Sequence, residues 1–123
     1  MIDHIGFEVS DLERSSRFYD AVLYALGGRR MVQSEHVVGY GVNGPQLWIV
    51  NRPGAPRAPG PGYGHVALRA SGKAAVDAAY AGGLANGGSD DGAPGMRPQY
   101  GPRYYAAYLK DPDGLRVEVV SRR

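Results

Sequence analysis

Three residues far apart in the chain combine side chains and strand positions that suit a shared divalent cation: His4, His65 and Glu118. Each histidine opens a strand-like run, HIGFEV or HVALRA, and Glu118 lies inside LRVEVV near the end of the chain. Where the first and last strands of a module are neighbours, side chains on one face stand about 5 Å apart at Cβ, within reach of one ion. Two imidazoles and one carboxylate suit Zn, Mn, Fe, Ni or Co, with two or three positions left for water or substrate. The chain has no cysteine, which excludes thiolate zinc sites, iron–sulfur clusters, disulfides and a cysteine nucleophile. The plain alternative is structural: strand histidines that hydrogen-bond locally, and a surface pair between Glu118 and Arg116, two positions away on the same face.

The elements that must position these residues come in two matching sets. HIGFEVS (4–10) aligns with HVALRAS (65–71), placing His on His and Glu8 on Arg69, and each string leads into a helix-like stretch. QLWIVNR (46–52) aligns with RVEVVSR (116–122) without a gap, which makes Trp48 the counterpart of Glu118. The first helix is expected from Ser10, with Glu13 at capping-box spacing, to the Gly27-Gly28 stop, and the second from a Ser71 cap to Asn86-Gly87-Gly88. Short strands follow each helix; Asn43-Gly44 marks one hairpin and Asp111-Pro112-Asp113-Gly114 another turn. The glycine- and proline-rich stretch 92–102 gives no clear strand. The expected architecture is α+β: two paired βαβββ modules forming an open, eight-stranded, barrel-like sheet about a pseudo-twofold axis. One domain is expected over 1–123, with a module at 1–52, a proline-rich linker at 53–61 and a module at 62–123.

With 43% hydrophobic residues in 123, the chain holds one core, not two. Its net charge of +2 comes from 14 basic residues scattered among 12 acidic ones, so neither nucleic-acid binding nor a membrane span is expected. A cytoplasmic protein acting on a small molecule is the expectation. Trp48, Tyr63, Tyr104 and Tyr108 fall in phase to line a π-rich cavity beside the proposed ion, unless those rings merely fill a small core. Arg52, Arg57, Arg97, Arg103 and Arg122 could meet an anionic ligand, and of these Arg97 and Arg103 are candidates to clamp a substrate carboxylate or phosphate, or else solvated loop charges.

DHIGFEVSDLERSSRFYDAVL (3–23), GHVAL (64–68) and KDPDGLRVEVV (110–120) together resemble the vicinal oxygen chelate superfamily. That superfamily includes glyoxalase I, fosfomycin-resistance proteins, methylmalonyl-CoA epimerase, extradiol dioxygenases and bleomycin-resistance proteins. The resemblance spans essentially the whole chain and implies paired modules, a divalent ion and a homodimer. It places the ligand positions on His4, His65 and Glu118. The fourth glutamate ligand expected of glyoxalase I falls on Trp48, which neither ligates nor accepts a proton; Gln46 offers an amide oxygen only with a shifted register. Trp48, Tyr63 and Tyr108 match aromatic positions of the fosfomycin-resistance proteins, but Gly6 replaces the expected hydroxyl residue and RPQYGPRYYA lacks the potassium loop. The extra acid/base histidine expected of an extradiol dioxygenase has one candidate, His36.

The preferred expectation is a metal-dependent glyoxalase-like enzyme, a lyase, isomerase or related catalyst, in which the ion chelates vicinal oxygens of a small substrate beside Glu118. The alternatives are a non-catalytic drug-binding protein and a dioxygenase with a 2-His-1-carboxylate iron site. The linker permits the modules to pair within one chain or by exchange between two.

Overall fold

Duplication in the sequence becomes duplication in space. The computed structural model describes residues 1–54 and 64–123. The first module runs β1 (Ile5–Val9), α1 (Leu12–Ala25), β2 (Arg29–Gln33), β3 (Val37–Gly41) and β4 (Pro45–Asn51). The second runs β5 (His65–Arg69), α2 (Lys73–Ala85), β6 (Ser89–Met96), β7 (Tyr105–Lys110) and β8 (Arg116–Ser121), with a 3-10 turn at Pro98–Tyr100. Each forms a four-stranded mixed sheet, in the orders β1-β4-β3-β2 and β5-β8-β7-β6. The fold is therefore α+β with two like modules, and the two sheets do not close on each other. Residues 55–61 of the expected linker lie outside the described residues.

Register follows the repeat. Trp48 lies between Gly6 of β1 and Gly39 of β3, and Glu118 lies between Ala67 of β5 and Tyr108 of β7. Alternation then sends Val9, Leu47 and Ile49 of the first sheet, and Val117, Val119, Ala107 and Leu109 of the second, into one core with both helices. The helices pack on each other at Gly82-Gly83: a Cβ added to Gly83 would stand 2.7 Å from Leu109, 3.1 Å from Val22 and 3.2 Å from Phe18. One core thus joins the modules from the helix side. The opposite sheet faces carry the chemistry.

Three local expectations need correction. α1 is capped by Asp11, whose carboxylate accepts from Arg14 N at 3.1 Å, rather than by Ser10. Ser10 is drawn away by Asp113, which accepts from both its backbone N–H and its hydroxyl across the module boundary. α2 has Gly72, not Ser71, at its N-cap and no side-chain cap. The 92–102 stretch does contribute a strand, since β6 reaches Met96. β6 is an outer strand, where Pro94 removes no donor that the sheet needs, and its pairing with β7 shifts register on either side of Gly92.

Candidate functional site

The site grows from one buried carboxylate. Glu118 points away from the helices in the middle strand pair of its sheet and is only 2% exposed. An ionised carboxylate so enclosed needs donors or a cation on both oxygens. His65 Nε2 lies 3.0 Å from Oε1, and the Tyr104 hydroxyl donates to Oε2. β5 places His65 opposite Arg116, so the imidazole reaches Glu118 diagonally on the shared face. Tyr108, directly across from Glu118, packs its ring edge-on to His65 with centroids 6.3 Å apart.

Burial, followed by the hydrogen bond to Glu118 and then its charge, pushes the Tyr104 hydroxyl up to about 12, so it stays a proton donor. Burial and then the Glu118 charge raise Tyr108. The expected surface pair of Glu118 with Arg116 is not what forms: Arg116 Nε donates to Asp91 at 2.6 Å.

His4 stands elsewhere. Its Nδ1 is 2.6 Å from Asp3 Oδ1 and its side chain is more than half exposed. With Gln46 it lines a cavity of about 460 Å³ between the start of β1 and the strand β5, whose other walls include Val66 and Leu68 but neither His65 nor Glu118. Among the described residues no three His, Cys, Asp or Glu side chains gather closely enough to hold a metal ion. A single chain therefore joins His65 to Glu118 and leaves His4 apart. The reason is topological: β1 and β5 are outer strands of separate sheets, each hydrogen-bonded to one neighbour only, so the two histidines have no register between them.

Of the expected aromatic wall, Tyr104 and Tyr108 flank Glu118, whereas Trp48 lies on the matching face of the first sheet. The indole covers Gly39, where an added Cβ would come within 2.8 Å of the ring. Tyr63 lies outside the described residues. His36 is exposed just before β3, 3.4 Å from Glu35, and is no part of the site. Arg97 lies over the Tyr108 ring at 5.4 Å and donates to the carbonyls of Ala93 and Ala106, while Arg103 is exposed.

The sequence offers Arg122 only as one of five arginines that could meet an anion, without placing it at the site. Its guanidinium lies 4.8 Å over the Tyr104 ring, beyond the tyrosine that holds Glu118. The repeat carried the signal, because Arg122 aligns with Arg52 and Arg69 with Glu8.

The donor types on the second sheet, one imidazole and one carboxylate facing each other, fit two adjacent ligands of a divalent first-row metal ion. They supply two donors of the three expected.

Among curated proteins, none matches the chain. Solved structures do. It is similar to a glyoxalase/bleomycin resistance protein from Albidiferax ferrireducens T118, at 32% identity over 98% of both chains and a TM-score of 0.82. A lactoylglutathione lyase from Agrobacterium tumefaciens matches at 25% identity and a TM-score of 0.65, covering 98% of this chain and 92% of that one. A glyoxalase-related enzyme from Fulvimarina pelagi shares the fold at 22% identity and a TM-score of 0.76, covering 98% and 87%. The family model for the Glyoxalase/Bleomycin resistance protein/Dioxygenase superfamily matches residues 1–119. With the duplicated modules and the paired register of Trp48 and Glu118, the chain belongs to the glyoxalase/bleomycin resistance protein/dioxygenase superfamily.

Proposed function

We propose that the protein is a metal-dependent glyoxalase-like enzyme acting on a small substrate through vicinal oxygens, and that it works as a homodimer. The observation that carries this reading is the His65–Glu118 pair, 3.0 Å apart, built on an outer strand and its neighbour. A third candidate ligand of the same chemistry, His4, precedes β1, the equivalent outer strand of the first sheet. Pairing β1 of one copy with β5 of another would bring His4 of the partner subunit beside His65 and Glu118.

Exposure favours this pairing over an isolated chain. Ile5 on β1 is 36% exposed, and the start of the chain adds Met1 and Ile2, both largely uncovered. Parallel strands seldom stand with one edge open to water, and open apolar edges are places where another chain adds.

The bound ion would supply Lewis-acid polarisation of the chelated oxygens. The rest is done by side chains. Tyr104 holds Oε2 of Glu118 and so aims Oε1 at His65 and the site. Tyr104 and Tyr108 form an apolar wall for the substrate body. Glu118 is the one carboxylate placed to accept a proton there, since Trp48 occupies the equivalent position of the other module.

A binding role without chemistry, like that of a drug-sequestering protein, is the second reading. The flat indole lying across Gly39 favours it, as a stacking surface for a planar ligand.

Metal content and mass test the first reading together. Protein stripped with EDTA and reloaded with Mn, Ni, Fe or Zn is expected to hold close to one equivalent per chain as a dimer. His4→Ala, His65→Ala and Glu118→Gln should each lose it. Uptake below about a tenth of an equivalent, or unchanged uptake in His4→Ala, would overturn the reading.

A further inference from the structure

The charges around Glu118 do not balance, and the imbalance has an address. Arg116 is neutralised by Asp91. One terminal nitrogen of Arg97 donates to two backbone carbonyls, which accept hydrogen bonds but carry no charge, and its buried Nε has no partner among the described residues. Arg122 has no hydrogen-bond or ion-pair partner among the described residues, and segment 55–63 contains no acidic side chain to pair with its charge.

The duplication shows what has been lost. In the first module Arg52 Nε makes an ion pair with Glu8. Arg122 occupies the same place at the end of β8, but the counterpart of Glu8 is Arg69. The second module thus keeps the arginine and replaces its counterion with another cation.

Arg122 is also held in a useful pose. Its guanidinium carbon lies 4.8 Å over the Tyr104 ring while the residue is exposed, so its N–H groups are open to a carboxylate, which a guanidinium can grip with two parallel hydrogen bonds. Tyr100 packs against the same tyrosine, with ring centroids 5.4 Å apart, and is mostly exposed. One tyrosine ring separates Arg122 from Glu118.

We propose that Arg122 is the specificity-determining residue of the site, and that it selects a substrate bearing a carboxylate on a planar or apolar body that lies along Tyr100 and Tyr104. This rests on the reading of Glu118 and His65 as the reacting centre. Arg97 supports the selection by adding a second uncompensated positive charge over Tyr108.

Benzoate and its neutral isostere benzamide, titrated by NMR into EDTA-treated full-length protein, separate charge recognition from apolar packing. Benzoate is expected to bind about tenfold more tightly than benzamide. Arg122→Gln should abolish that preference and leave benzamide unchanged, whereas Arg122→Lys should retain part of it, because the charge stays and the fork goes. Arg29→Gln, an exposed arginine of the other module, should change nothing. Equal binding of the two probes, an unaffected Arg122→Gln, or an equal loss in Arg29→Gln would overturn the proposal. Benzoate binding that arises only after Mn or Zn loading would assign the anion to the ion, sinking the role of Arg122 while sparing the metal centre. Carboxylate preference in protein that takes up no metal would do the reverse.

Discussion

The Tyr19 hydroxyl donates to Asp111 Oδ2 at 2.6 Å, joining a helix of the first module to the β7–β8 turn of the second. The other oxygen of Asp111 accepts from the N–H groups of Asp113 and Leu115, at 2.9 Å each. One buried carboxylate therefore shapes the turn and ties the modules together.

Removing that carboxylate should show in stability. Asp111→Ala leaves two backbone donors and a buried phenol without their acceptor, a cost of about 2–3 kcal/mol in urea unfolding. Asp111→Asn keeps an acceptor for the turn and should cost clearly less.

The same pair predicts a pH trend. Burial holds Asp111 above the usual 3.8 in the folded state, outweighing the hydrogen bonds that pull it down. Between 3.8 and that raised value the folded chain binds the proton more tightly than the unfolded chain, so this contribution to stability declines as pH rises through the window and is level above it. Asp111→Asn lacks the titration. The wild-type minus Asp111→Asn difference in unfolding free energy should fall from pH 3 upward and then flatten; a difference that rises with pH contradicts the assignment.

Gly83 marks where the helices touch. Alanine there improves helix propensity by about 1 kcal/mol but drives a methyl into Leu109, Val22 and Phe18. Overpacking of this kind costs about 1–3 kcal/mol, so a net loss of thermal stability is expected from Gly83→Ala, without loss of fold.

Trp48 is the only tryptophan of the chain, which makes Gly39 testable by light. Gly39→Ala must push the indole off its seat, because the new Cβ falls within 2.8 Å of the ring. A shift of the emission maximum with an unfolding midpoint close to wild type is the expected result. Unchanged emission would mean that the ring does not rest there.

Tyr104→Phe removes the donor to Glu118 Oε2 and leaves the rest of the wall. If Glu118 is a ligand, its affinity for Mn or Zn should drop about 10–100-fold, the usual effect of deleting a hydrogen bond behind a ligand. Unaltered affinity would place Glu118 outside the coordination sphere.

How much of this was legible in the sequence depends on what each feature needs. Strands with a buried face, such as QLWIVN and LRVEVV, alternate because one side meets the core, and their duplication set Trp48 and Glu118 at one register position. Both helices were visible from their apolar periodicity and glycine stops. SDDGAPGM shows no alternation, since an outer strand with register shifts has little to bury, and only its pairing with β7 reveals it. The α1 cap slipped by one residue because Ser10 and Asp11 are both good caps, and the choice was made by Asp113, about a hundred residues away.

At the site, sequence placed His65, Glu118, Tyr104 and Tyr108 on one face because pleat and repeat fix faces. It placed His4 on the equivalent face of the other sheet, but which outer strands meet is not encoded in any local pattern. Tyr104 as the donor to Glu118, and Arg122 stacked beyond it, depend on side-chain directions that periodicity does not specify.

The outer strands β1 and β5 are unlike surfaces on one molecule, and this sets the arithmetic of self-association. A single β1-to-β5 junction leaves a free end on either side and invites a growing filament; two such junctions related by a twofold axis leave none. In the proposed homodimer, closure at two copies requires both junctions to form within the same pair, and a substitution that spoiled the symmetry of that docking without blocking either strand would favour a polymer over a finite particle.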